Sequence, residues 1–190
     1  MGYYRARMFN RKAASRRSMP ERLLDTLPLE SGYKVADIGA GGGYFTLKMA
    51  EKVGKRGMVY AVDTDGRSLS FINGSAEEAG LRNIKAVHTK GGVPALPPES
   101  IDLVLMRNVC HHIEDPVSYF KELGRALKEE GIVAIVDYNG SGRFSFHSLF
   151  HHSVEEEELM ELMKKAGFKK VISFDFLPEQ SFTLFTRRAA

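Results

Sequence analysis

Cysteine is almost missing from this chain: Cys110 stands alone among 190 residues. One cysteine excludes an internal disulfide and any metal site built from cysteines alone, and it suits a reducing, cytoplasmic setting. Long apolar runs are missing too. None approaches the roughly 18 residues that a membrane-crossing helix needs. The opening stretch, MGYYRARMFNRKAASRRSM, has no apolar centre of the kind a secretory signal carries. Acids are absent from the same stretch. Arg5, Arg7, Arg11, Lys12, Arg16 and Arg17 all precede the first acid, Glu21, and removing these six from the formal net charge of +3 leaves −3. A basic arm on a slightly acidic body can meet nucleic acid, an anionic membrane face or an acidic substrate, and an Arg-rich start also fits an organellar transit peptide. A solvated, partly frayed terminus is the simplest expectation.

What is present reads as one globular domain over 1–190. Its apolar content of 43% and charged content of 27% are ordinary for that class. The periodicity alternates between short apolar runs and helical stripes. Ser18-Met19-Pro20-Glu21 reads as a capping box opening a helix that turns Leu23, Leu24 and Leu27 inward. Strands are expected at 33–37, 58–63, 84–89, 101–106 and 132–136. Helices are expected at 44–53, from about 69 to Gly80, from the Asp115 cap through Leu127, and from a Ser153–Glu156 capping box to Gly167. KKVISFDF and SFTLFTRR read as a terminal antiparallel hairpin. Strand-helix units with apolar strands imply a parallel sheet covered on both faces, an α/β architecture. Residues 138–152 form the longest stretch without a clear element, a length usually kept for function.

The densest local signal is ADIGAGGGY, in which Gly39, Gly41, Gly42 and Gly43 crowd five positions after Asp37. The loop lies between the first strand and the helix after it, where open parallel sheets bind ligands against bare backbone and free N–H groups. Asp63 ends the next strand, placed to accept both hydroxyls of a ribose. A dinucleotide fingerprint would need glycine at 44, where Tyr44 stands. An acid just ahead of the loop suits a ligand carrying an ammonium group and a sulfonium better than a pyrophosphate.

On these residues the chain resembles the class I S-adenosylmethionine-dependent methyltransferases. VADIGAGGGYFTLKMA is similar to their first motif and VYAVDTD to their second. SIDLVLMRNVCHHIEDP and HSVEEEELMELMKKAGFKKV resemble segments of the small-molecule branch that includes ubiquinone and menaquinone methyltransferases. The resemblance runs from about 18 to 186. It implies a Rossmann-like, seven-stranded, mostly parallel sheet in the order 3-2-1-4-5-7-6 with an antiparallel last strand. It implies S-adenosylmethionine as cofactor and S-adenosylhomocysteine as product. Asp37 with Gly39, Ala40, Gly41 and Gly43 would take the methionine end, Asp63 the ribose, and Thr64, Gly92 and Val93 the adenine, with Asn108 also touching the cofactor. The acid that usually receives the adenine amino group is replaced near Gly92, which implies weaker or less selective binding. The basic arm and first helix, 1–30, would fold over the cofactor as a lid.

Methyl transfer from a sulfonium needs alignment and exclusion of water, with a base only where the acceptor arrives protonated. His111 and His112, after the fourth strand, are candidate proton acceptors from a phenol, enol or amine, and Arg107 can orient an anionic or carbonyl substrate. The alternative is that one histidine packs and the other caps a helix. His147, His151 and His152 are read as substrate-facing or solvated rather than as metal ligands, so no metal is expected. Phe144, Phe146, Leu149 and Phe150 are candidates for an apolar pocket or lid. Asn108 is followed by Val109-Cys110, not by the Pro-Pro-aromatic run of nucleic-acid amino-methyltransferases. The expected function is methylation of a small organic acceptor. An RNA methyltransferase using the arginine arm, or a non-catalytic S-adenosylmethionine-binding protein, are the alternatives.

Overall fold

The computed structural model of the chain describes residues 2–138 and 156–188. A helix α1 (Gly2–Ala13) and a 3₁₀ turn (Arg16–Ser18) lead into α2 (Pro20–Thr26). The core then alternates: β1 (Lys34–Ile38), α3 (Tyr44–Val53), β2 (Met58–Asp63), α4 (Gly66–Glu78), β3 (Ile84–His88), β4 (Ile101–Arg107), α5 (Pro116–Leu123), β5 (Leu127–Tyr138), α6 (Glu156–Lys165), β6 (Phe168–Phe174) and β7 (Gln180–Arg187). A second 3₁₀ turn, Cys110–His112, follows β4. The strands form one sheet in the order β3-β2-β1-β4-β5-β7-β6. β1 to β5 pair in parallel, and β7 runs antiparallel to both β5 and β6. The expected fold class and strand order are therefore present.

Side chains alternate across a strand, so doubly buried strands must be apolar on both faces. Ala36, Ile38, Val104, Met106, Val133 and Ile135 face one layer with Phe120 and Leu123 of α5 and Leu159 and Met163 of α6. Val35, Leu103, Leu105, Ala134 and Val136 face the other, against Leu23 and Leu24 of α2 and Phe45, Met49 and Val53 of α3. Burying each large side chain stabilises by about 1.5–3 kcal/mol, so neither layer is dispensable. Asp115 accepts from the Ser118 amide as the α5 cap, and Pro116 opens that helix.

Three expectations need correction. α2 is not opened by a capping box. Its N-cap is Met19, in the left-handed region at φ 40°, while the Ser18 hydroxyl turns back to the Lys12 carbonyl at 2.7 Å. The helix after Asp115 ends at Leu123. Leu127 belongs instead to β5, which starts five residues before the expected 132 because Leu127 pairs with Ile101 across a register shift. The basic start is a helix rather than a frayed arm, with Ala6 and Ala13 buried. No helix among the described residues is long and apolar enough to cross a membrane. The expected Ser153 cap and the aromatic stretch 144–150 lie outside the described residues.

Candidate active site

The site grows out of the C-terminal ends of β1, β2, β4 and β5. Beyond β1 the chain bends through Gly39 at φ 75°. A Cβ there would sit 2.3 Å from Val109 Cγ2, so the backbone must be bare to pass beneath the loop after β4. Gly42 is bare for another reason. Its Cβ would lie 2.1 Å from the Ala6 carbonyl oxygen and 2.3 Å from Asn10 Oδ1, both on α1. Asn10 Oδ1 also accepts from the Tyr44 amide at 3.0 Å, meeting one of the open N–H groups of α3. The glycine run thus serves both purposes between which a sequence cannot choose: a tight turn, and close approach of another element.

Gly42→Ala should consequently lift α1. Trypsin cleavage at Arg7 and Arg11 is expected to accelerate at least tenfold, while the thermal midpoint moves little because the sheet lies elsewhere. Unchanged cleavage would mean that α1 is not seated on the loop.

Asp37 is 4% exposed and accepts from the Thr46 hydroxyl at 2.5 Å. Burial pushes its carboxyl up to about 6. The Thr46 hydrogen bond opposes the shift, the charge of Asp63 adds to it, and Arg107 opposes it weakly. Asp63 Oδ2 accepts from the Gly41 amide at 2.7 Å and Oδ1 from the Asp65 amide at 2.9 Å, so this acid and the glycine loop hold each other.

Across the pocket, Asn108 sits at φ 57°, a left-handed position unusual for a side chain other than glycine. Its Oδ1 accepts from the Gln180 amide, and Gln180 Oε1 accepts from Arg107 at 3.2 Å. Arg107 also donates to the Ser18 hydroxyl at 3.1 Å and lies 5.2 Å over the Phe45 ring. His111 Nδ1 stands 2.8 Å from Asp137 Oδ1, at side-chain exposures of 8% and 1%. The Tyr138 amide donates to the same oxygen. A carboxylate that accepts from Nδ1–H leaves the Nε2 lone pair, on the other edge of a neutral ring, as the proton acceptor. His112 packs against this ring with centroids 4.1 Å apart. Burial, then the charge of Asp137, pushes the Cys110 thiol well up. Burial, then Cys110, likewise raises Tyr119. Neither is therefore a nucleophile or base at neutral pH.

These parts enclose one cavity of about 530 Å³. Asp37, Gly39, Ala40, Gly41, Asp63, Thr64, Gly92, Arg107, Asn108, His111 and His112 all line it. Gly43 and Val93 do not. Gly43 caps α3 at φ 81° with Ile72 against it, and Val93 packs on the main core. A Cβ at Gly92 would meet nothing within 4 Å, so the place of the missing acid is open space. α1 closes the cavity with Arg5, Phe9, Asn10, Lys12 and Ala13. His147, His151 and His152 lie outside the described residues. Among the described residues no cluster of three or more histidines, cysteines or acids could hold a metal.

Sequence reasoning missed Asp137, Gln180, Thr46 and Asn10. Asp137 had a signal, since it ends an apolar strand as Asp63 does. Gln180 and Asn10 had none, because each acts across 34 residues or more of chain.

The profile of the methyltransferase-domain family matches residues 29–180. The chain belongs to the methyltransferase-domain family. Its domain is 26% identical over 153 residues to the demethylmenaquinone methyltransferase of Geobacillus stearothermophilus, covering 80% of this chain and 64% of that one. It is 32% identical over 116 residues to the aklanonic acid methyltransferase DauC of Streptomyces sp. (strain C5), covering 61% and 53%. The chain thus spans between about half and two thirds of the length of these relatives. A solved S-adenosylmethionine-dependent methyltransferase of Aquifex aeolicus superposes with a TM-score of 0.84 at 21% identity, over 95% of this chain and 98% of that one. At that identity the methyltransferase domain shares the fold, and its chemistry must be argued from its own residues.

Proposed function

We propose that the protein transfers a methyl group from S-adenosylmethionine to a small organic acceptor, and that His111 removes the acceptor's proton. One observation carries this reading. A single cavity is lined by the Asp37–glycine loop–Asp63 array and by His111, which Asp137 backs from behind. Asp37, ionised, pairs with the amino-acid ammonium of the cofactor. The backbone at Gly39, Ala40 and Gly41 takes its sulfur end. Asp63 turns its carboxylate to the ribose, and Thr64 and Gly92 border the adenine. Asn108, fixed by Gln180, bounds the methionine end. The residues present fit such a group, since the wall offers bare peptide and two acids where a cation and a diol would lie.

The bound sulfonium supplies an activated methyl carbon and a neutral leaving group. The protein's own part is alignment, exclusion of water by α1, and proton removal. Asp137 holds the imidazole with Nδ1 inward, so Nε2 takes the proton as the acceptor's lone pair attacks. A hydroxyl, phenol or enol acceptor fits this arrangement, and it agrees with relatives named for acting on a demethylmenaquinone and on aklanonic acid. A cytoplasmic setting belongs to the same reading, supported by Cys110 being the sole cysteine of the sequence.

Calorimetry with S-adenosylmethionine, S-adenosylhomocysteine and NAD tests the cofactor. The first two are expected to bind, and NAD is not. Asp63→Ala should weaken both by at least tenfold, because it loses the ribose contact and releases the Gly41 amide. Saturable NAD binding with neither adenosyl compound engaged would overturn the reading.

A further inference from the structure

Arg107 does more than border the main cavity. It also forms part of a second one, of about 260 Å³, lined by Lys12, Arg17, Ser18, Tyr138, Glu179 and Gln180 among others. Three cations and a single acid, Glu179, therefore face this smaller space. Arg107 is largely buried, yet it belongs to no ion pair among the described residues. Its partners, Ser18 and Gln180, are neutral, and its Nε is buried without any hydrogen-bond partner. A buried cation with no counter-charge in contact is costly, and an incoming anion would relieve that cost. The buried acid that acts on it, Asp37, does so only through space, is hydrogen-bonded to Thr46 and faces the cofactor array.

The setting of the guanidinium is built rather than accidental. Gln180 fixes it from β7 and the Ser18 hydroxyl from the turn after α1. Gln180 in turn holds Asn108 in its left-handed conformation. Lys12 and Arg17, both just ahead of Ser18 in sequence, bring two further charges to the same rim. A planar guanidinium matches a carboxylate, which can accept two parallel bonds from it.

We propose that this smaller cavity is the acceptor's anchoring subsite, and that Arg107, with Lys12 and Arg17, selects a small organic acid by its carboxylate. The inference rests on the methyltransfer reading and deepens it. A carboxylate could also come from the amino-acid end of the cofactor, so the test separates the two sources.

Benzoate and its neutral isostere benzamide are titrated, by calorimetry or ligand-observed NMR, into the free protein and into protein saturated with S-adenosylhomocysteine. Benzoate is expected to bind the saturated protein at least tenfold more tightly than benzamide. Arg107→Met should erase that preference. Arg17→Ala, a change at an exposed side chain that leaves the fold alone, should reduce benzoate affinity about threefold. S-adenosylhomocysteine affinity should change less than threefold in Arg17→Ala. Equal affinity for the two probes overturns the proposal, as does a preference that survives both substitutions. If benzoate binds only the free protein while Arg107→Met weakens S-adenosylhomocysteine, the charge serves the cofactor's own carboxylate and the proposal falls. If wild-type protein ignores S-adenosylhomocysteine, the methyltransfer reading fails, and the benzoate–benzamide comparison on the free protein still decides whether Arg107 binds a carboxylate.

Discussion

Asp37→Asn is expected to make the protein more stable and unable to hold its cofactor. The wild-type carboxyl is fully buried, and burial raises it to about 6 from the ordinary value of 3.8. The sign follows from proton linkage. Between these two values the folded state holds more protons than the unfolded one. The acid form's contribution to stability is therefore complete below about pH 4 and is lost as pH rises through about 6. At pH 7.5 the ionised group costs up to ~3 kcal/mol. The amide oxygen of asparagine can still accept from the Thr46 hydroxyl, so that bond survives while the buried charge goes. A gain on the order of 5 °C in thermal midpoint at pH 7.5 is expected, shrinking to nothing near pH 4. Removing one partner of a buried charge pair typically costs 3–5 kcal/mol, so S-adenosylhomocysteine affinity should fall by roughly 100-fold or more. The wild type should mimic the variant on acidification, its affinity declining below about pH 6 as Asp37 takes up a proton. A variant that melts earlier than wild type at pH 7.5 and binds the ligand as well would refute both the burial argument and the role.

The second large effect concerns the proton. His111→Ala should slow methyl transfer by about 10²- to 10³-fold in a single turnover, the range usual for loss of a positioned base. Affinity for S-adenosylhomocysteine should stay within about threefold, because His111 faces the acceptor side. Asp137→Asn should slow the same step at least tenfold. It removes the carboxylate that selects the Nδ1–H tautomer, and the Tyr138 amide keeps an oxygen to bond. If His111→Ala transfers the methyl group at the wild-type rate, the acceptor reaches the site already deprotonated and the pair is structural.

Most of the architecture could be read in the residues because it rests on local rules. Runs such as MVYAVD and IDLVLM must be strands buried on both faces, and Asp115-Pro116 must open a helix. The wall proposed for the cofactor was legible for the same reason: Asp37, the glycines and Asp63 lie within two consecutive strand ends. The wall proposed for the acceptor was not, because it is assembled over long separations. Asp137 meets His111 from the next strand, and Gln180 meets Arg107 from the last one. The Ser18 capping box failed in an instructive way. Its hydroxyl had the right spacing for a cap, but the turn gave it three other partners, the Ser15 hydroxyl, the Lys12 carbonyl and Arg107, and the helix opened without it.

The seat of α1 bears on tempo. Ala6 and Asn10 rest on the glycine loop and α1 lines the cavity beside it, so under the proposed reading a docked helix narrows the way in for fresh donor and the way out for the spent one. If exchange waits on the helix, each turnover of the proposed reaction includes one undocking event, and its frequency caps steady-state throughput however fast the bond-making step becomes. Loosening the hinge between Ala13 and Met19 would raise that cap at the expense of wasteful hydrolysis.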